Sequence, residues 1–190
     1  MTSAEDSPAT FTIDTRASLF SVQAFASGIV AVVAHSPKFA MREVLGEIRM
    51  DPKVIENSSV RASVRLGSLE ITDEVTSAER REIERVMFEE VLQKNTHPTA
   101  EFRSVRITGV ETGANMYRIT VRGDLSLHGI TRGLSFDSQV VAGRDTLRAQ
   151  GSFSLLQSDF GLRIASVAGG TLKLKDELKF GFFLVARRKD

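Results

Sequence analysis

The sequence predicts an all-β protein: an antiparallel barrel of about eight strands with one main helix. Three observations carry this. Two-residue hydrophobic alternation recurs along most of the chain, one stretch alone has clear helical spacing, and the 12 Phe stand against one Tyr and no Trp. Strands send alternate side chains to opposite faces, so alternation marks strands with one dry and one wet face. Such half-wet strands belong to antiparallel sheets, which close as sandwiches or barrels, and an up-and-down order favours the barrel. A barrel of that size holds its own side chains or one small ligand.

Residues 1–9 are polar, contain Pro8 and read as a disordered leader; residues 10–190 read as a single domain. FTID at 11–14 starts the first strand, with Phe11 and Ile13 in phase. In 17–26, Phe20, Val22 and Ala24 alternate with Leu19, Ser21, Gln23 and Phe25, and apolar groups in both phases predict a strand covered on both sides. The Ala/Val run at 29–34 fits a short helix or a buried strand, ended by Pro37. Residues 39–52 follow, with Gly46 expected at a bulge or bend and Asp51-Pro52 at a turn. In 59–71, Val60, Ala62, Val64 and Leu66 point one way and Arg61, Ser63 and Arg65 the other.

The helix is expected near 77–94. Thr76 and Glu79 have capping-box spacing, Ile83, Val86, Met87 and Val91 recur at helical intervals, and Arg80–Glu84 and Arg85–Glu89 form i,i+4 pairs. It serves as a lid or plug on a sheet. In 100–108, Phe102 and the Val105/Ile107 positions differ in phase, which predicts a bulge. The clearest strand is 116–127, with Tyr117, Ile119, Val121, Gly123, Leu125 and Leu127 in the dry phase and His128 in the wet one. HGITRG then forms a turn, after which Leu134, Phe136 and Ser138 resume the alternation. Leu147, Ala149, Gly151, Phe153 and Leu155 share the dry phase of 146–156. After a loop at 158–170 come TLKLK and a last strand whose dry phase is Leu178, Phe180, Phe182, Leu184 and Ala186.

Composition narrows the function. A net charge of +1 gives no electrostatic case for nucleic acid or an anionic membrane. The absence of Cys removes disulfides, thiolate ligands and a Cys nucleophile. MTSAEDSPAT has neither a basic nor an apolar leader region, which sets the expectation of a cytoplasmic protein, or of a periplasmic one if a leader has been removed. No apolar run is long enough for a transmembrane segment. The three His, at 35, 97 and 128, lack metal-ligand spacing, and there is no GxSxG elbow or phosphate-binding glycine loop, so neither a metal, a cofactor nor catalysis is expected. Arg103, Arg106, Arg118, Arg122, Arg132, Arg144 and Arg148 are placed on the wet faces. The oligomeric state is left open, a homodimer included.

The inward phases mix bulky and small residues, and two readings stay open. In one, large and small groups interdigitate to fill the barrel, leaving a protein-interaction or stress-related module without a ligand. In the other, Phe20, Val22, Val64, Leu66, Ile119, Val121, Leu125, Phe153, Leu155, Phe180 and Phe182 line a lumen fit for an apolar small molecule. At about 0.8 kcal/mol per methylene, a chain of about twenty carbons could gain more than about 10 kcal/mol there.

Several stretches resemble the YceI-like, polyisoprenoid-binding family: FTID and ASLFSVQAF, GEIRMD, THPTAEFRS, YRITVRGDLSLHGITRGLSFD, SDFGL and DELKFGFFLVARR, in family order from Phe11 to Arg188. The resemblance implies a lipocalin-like antiparallel barrel with a helix over one side and a long apolar lumen. It also implies non-catalytic binding, storage or transport of an isoprenoid of the quinone or polyprenyl type. Relatives commonly open with Trp where Phe11 stands, and their helical segment differs from ERREIERVMFEEVL here.

Overall fold

A computed structural model describes residues 7–27, 36–167 and 172–189. Twelve strands form one antiparallel sheet: β1 Ala9–Ile13, β2 Leu19–Ser27, β3 Lys38–Met41, β4 Val44–Met50, β5 Ser59–Arg65, β6 Leu69–Ile71, β7 Thr99–Gly113, β8 Met116–Leu127, β9 Ile130–Ala142, β10 Thr146–Leu156, β11 Ser166–Val167 and β12 Leu172–Arg188. The strands β1, β4, β5, β7, β8, β9, β10 and β12 run side by side, and pairing of β1 with β12 closes them into an eight-stranded barrel. Closure pairs each of these strands on both sides over part of its length, which reduces the hazard of edge-to-edge association; the β9–β10 ladder is confined to Ser138–Ala142 against Leu147–Gly151. The expected barrel is therefore present. β1 begins at Ala9, paired with Met50, one residue before the boundary read from sequence; residues 1–6 and the Ala/Val run at 29–34 lie outside the described residues.

Three strands of the ring bend at corners, and each bend is made by side chain–backbone hydrogen bonds. Between β1 and β2, the Ser18 hydroxyl donates to the Asp14 carbonyl at 2.7 Å and accepts from the Val185 amide at 2.9 Å. β12 thus pairs with β1 through 186–188 and with β2 through 173–183. Ser68 does the same further round the wall, donating to the Arg65 carbonyl at 2.7 Å and accepting from the Glu43 amide at 2.9 Å. These contacts split the continuous strand expected at 59–71 into β5 and β6, and the segment 39–52 into β3 and β4. Gly46 is accordingly not a bulge: its pairing with Ala62 is regular, and a Cβ there would lie 2.4 Å from the Arg61 carbonyl oxygen. It is a point of close approach.

Other expectations need correction. Leu19 is not covered but 68% exposed, because the barrel has one inner face and no described residue covers the outer one there. The six-residue turn at 128–133 is a two-residue turn, His128-Gly129, with φ of 54° and 76°. Positive φ at both positions gives the backbone twist that matches a hairpin. The stretch from Leu172 and the last strand are one 17-residue strand, Leu172–Arg188. The bulge expected in 100–108 is present: register shifts between Ser104 and Arg106, and Val105 is extruded.

The helix α1, Ser77–Arg85, starts at the predicted capping box, with the Thr76 hydroxyl accepting from the Glu79 amide and the Glu79 carboxylate accepting from the Thr76 amide. It continues not as α-helix to 94 but as one π-helical stretch, Val86–Val91, in which the Leu92 amide donates to the Met87 carbonyl. The wider turn brings the adjacent residues Val91 and Leu92 both inward beside Met87. Arg85 pairs with Glu89 as expected, at 3.9 Å, whereas Arg80 turns away from Glu84 and donates to the Ile71 carbonyl at 2.9 Å.

The two ends of the barrel are closed differently. At one end Phe11, Tyr117, Val140, Leu147 and Ala186 pack with Met50 and Ile55; Leu147 is 1% exposed and Ala186 fully buried. The chain from 51 to 58 caps this end, held by the Asp51 carboxylate, which accepts from the amides of Lys53 and Val54 and from Asn57 Nδ2. The Val54 amide, ahead of Asn57 and Lys53, holds the carboxyl below its ordinary range against the opposing effect of burial. A depressed carboxylate stabilises the fold above its unfolded pKa of about 3.9, and that contribution disappears as pH falls through the lower folded value. Asp51→Asn is therefore expected to cost about 1–2 kcal/mol at pH 7. By urea unfolding, the gap between wild type and variant should shrink at pH 3. At the opposite, helical end, a second cluster gathers Met87, Val91 and Leu92 with Phe160, Leu162 and Ala165.

Candidate ligand-binding site

Side chains do not fill the barrel. A cavity of about 260 Å³ runs through its middle, between the clusters at the two ends. All eleven residues selected from sequence line it: Phe20 and Val22 from β2, Val64 from β5, Leu66 at the corner, Ile119, Val121 and Leu125 from β8, Phe153 and Leu155 from β10, and Phe180 and Phe182 from β12. Period-two alternation places them there, since all but Leu66 lie in strands and share the inward phase. The further lining residues lie mostly in strands too, as Ile48, Ala62, Phe102 and Phe136 do, but a few come from elsewhere. Leu92 follows the π turn, Leu162 lies in the strap after β10, and Ile55 sits in the cap; none is in a strand, so period two could not mark it.

Phe rings span the lumen where the two clusters meet. Phe153 and Phe180, directly opposite on β10 and β12, stack with centroids 4.9 Å apart and planes 1° from parallel. Phe136 links them to the rest, 5.4 Å from Phe153, 5.6 Å from Phe102 and 5.7 Å from Phe182. Two glycines make room for these rings. A Cβ on Gly123 would lie 2.6 Å from Cζ of Phe102, and one on Gly151 2.7 Å from Cζ of Phe182. Aromatic rings laid over glycines on a neighbouring strand complete the wall where the glycine has no side chain.

The lining is almost entirely carbon. Its polar side chains are Ser58 and Ser138, and both are engaged in the wall: the Ser58 hydroxyl accepts from the Asp51 amide at 3.0 Å, and the Ser138 hydroxyl donates to the Gln150 carbonyl at 3.0 Å. Among the described residues no charged group lines the cavity. Such a lumen offers an apolar guest dispersion contacts and exclusion of water, and no fixed polar anchor.

Elsewhere the structure changes the picture of the titratable groups. His128, expected on the wet face, packs its ring against His97 with centroids 4.4 Å apart, and its Nε2 is buried without a hydrogen-bond partner. Their separation in sequence hid this pairing, which the two-residue turn and the chain leading into β7 create. His35 lies outside the described residues, among which no group of three or more His, Cys, Asp or Glu side chains is arranged to hold a metal. The seven arginines are all exposed, but Arg132 is in the inward phase at the helical end, opposite Leu125, with its Nε donating to the Asp159 carbonyl at 3.2 Å. No helix among the described residues is long and apolar enough to cross a membrane.

Comparison with solved structures gives the same barrel. BcnA of Burkholderia cenocepacia superposes with a TM-score of 0.70 at 20% identity, over 91% of this chain and 98% of its own. A polyisoprenoid binding domain from Saccharophagus degradans, implicated in plant cell wall breakdown, gives 0.67 at 12% identity, over 95% and 99%. The YCEI protein of Campylobacter jejuni gives 0.59 at 12% identity, over 80% and 85%. At these identities the likeness is one of fold. No curated protein sequence matches the chain. The model of the YceI-like domain, however, matches residues 8–186, so this eight-stranded barrel with its carbon-lined lumen belongs to the YceI-like domain family.

Proposed function

We propose that this protein binds and carries an isoprenoid or similar long apolar molecule in its lumen, without chemistry of its own. The observation that carries the reading is the unfilled cavity of about 260 Å³, walled by aliphatic and Phe side chains. A dry apolar cavity of about 150 Å³ takes up one benzene. By that scale the lumen holds about ten carbons, or two isoprene units. Burying them is worth about 8 kcal/mol at about 0.8 kcal/mol per methylene, before the cost of association. A barrel filled by its own side chains would have no such space. The polyisoprenoid-binding description of the Saccharophagus domain belongs to that protein and agrees with the kind of ligand this lining suits.

The reading is tested by native mass spectrometry of protein purified from its own host, followed by delipidation and exposure to a polyprenyl or quinone ligand. An extractable apolar molecule, or stoichiometric uptake of the added one, is expected. An empty barrel that takes up neither ligand would overturn the proposal.

A further inference from the structure

The cavity is smaller than a long chain, so on this reading the barrel must open somewhere, and its two ends are not equally able to do so. The capped end is held by continuous strand pairing. β1 pairs with both β4 and β12, β10 with β12 up to Thr146–Arg187, and the Lys189 ammonium bridges to Glu47 at 2.7 Å. Opening it would break ladder hydrogen bonds and the Asp51 cap together.

The helical end has a seam. β6 pairs with β3, whereas β7 pairs with β5 and β8, so among the described residues no ladder joins β6 to β7. The last tie before the strands part is the Leu66 amide donating to the Pro98 carbonyl at 2.9 Å. Below that point the wall is completed by the segment Ser77–Val91, not by a strand. A hydrogen bond from Arg80 to the Ile71 carbonyl fastens this segment to the β6 edge. Its far end meets the strap after β10 through Glu90, whose carboxylate lies 2.9 Å from Arg85 of the same segment and 2.8 Å from Arg163 of the strap. Leu92 and Leu162 bring the two leaves to the cavity itself.

We propose that this seam is the portal of the lumen: the α1–π segment and the strap bearing Arg163 are its two leaves, and Glu90 is the latch between them. The inference rests on the lipid-binding reading above. Three features suit a door. Exposed ion pairs add little to stability, so the latch is weak enough to release. Under the segment Met87 and Val91 are buried, but Ile83, Val86 and Phe88 are only partly so, unlike Phe11, Leu147 and Ala186 at the other end. A π turn has poorer packing of its own backbone than an α-helix and is often found where a helix serves function.

The chain has no Cys, so two introduced thiols are the only ones present. Glu90→Cys with Arg163→Cys, joined by a short bifunctional methanethiosulfonate, locks the leaves; Glu47→Cys with Lys189→Cys locks the capped end as the control. The readout is the stopped-flow fluorescence of the apolar probe N-phenyl-1-naphthylamine. Locking the seam is expected to slow uptake at least tenfold, with recovery on reduction, while the control lock leaves the rate unchanged. The single variant Glu90→Gln should raise association and release rates by about two- to five-fold each with little change in Kd. Uptake that is equally fast with the seam locked, or slowed by the control lock instead, overturns the portal while leaving the lipid-binding reading intact. Failure of the unlinked protein to bind the probe overturns both.

Discussion

Gly123→Val should be among the most damaging single substitutions in the wall, lowering stability by about 3 kcal/mol or more. A Cβ at this position in β8 would lie 2.3 Å from the Arg103 carbonyl oxygen and 2.6 Å from Phe102, so both the backbone of β7 and a lumen ring must move. Gly133, a neighbour across the β8–β9 ladder opposite Asp124, provides an internal control. Nothing lies within 4 Å of a Cβ built there, and the residue is exposed. Gly133→Val should stay within about 0.5 kcal/mol of wild type. Thermal unfolding separates the two, because about 2–4 °C of Tm accompanies each kcal/mol in a chain of this length. Equal effects of the two substitutions would mean that β-propensity, and not the seating of Phe102, sets the cost.

The same contrast shows what was legible in the sequence. Alternation is a local property of a half-buried strand, so β8, β10 and β12 could be read residue by residue, and the phase break around Val105 announced the bulge. The capping box was legible because its partners, Thr76 and Glu79, are three residues apart. What alternation cannot express is a contact between distant segments. The corner at Ser68 depends on Glu43, so the strands that it interrupts, 59–71 and 39–52, looked continuous. The His97–His128 contact, the latch at Glu90 and the ring of Phe102 on Gly123 have the same character. The π turn was hidden for another reason: apolar residues at 86, 87, 88, 91 and 92 fit an ordinary wide helical stripe equally well.

Whether the lumen is a vessel or a loosely filled core is decided most sharply by Val64→Trp. Val64 lines the cavity from β5, paired with Val44 on one side and Ala100 on the other, and an indole there has empty space to enter. Displacing the room for about four carbons removes about 3 kcal/mol of burial, which is about a hundredfold in Kd for an apolar ligand. Because the new group fills a void and does not compress a packed region, unfolding stability should change by less than about 1.5 kcal/mol. Ala186→Leu is the counterpart in the capped end. That site is fully buried and does not line the cavity, so the larger side chain has to displace its neighbours, and a loss of about 1–3 kcal/mol is expected. Urea unfolding and titration with an apolar fluorophore, run on both variants, give four numbers. A binding loss confined to Val64→Trp together with a stability loss confined to Ala186→Leu identifies a vessel with one sealed end. Comparable destabilisation by both would mean that the cavity closes up in solution and that the barrel is stabilised by filling itself.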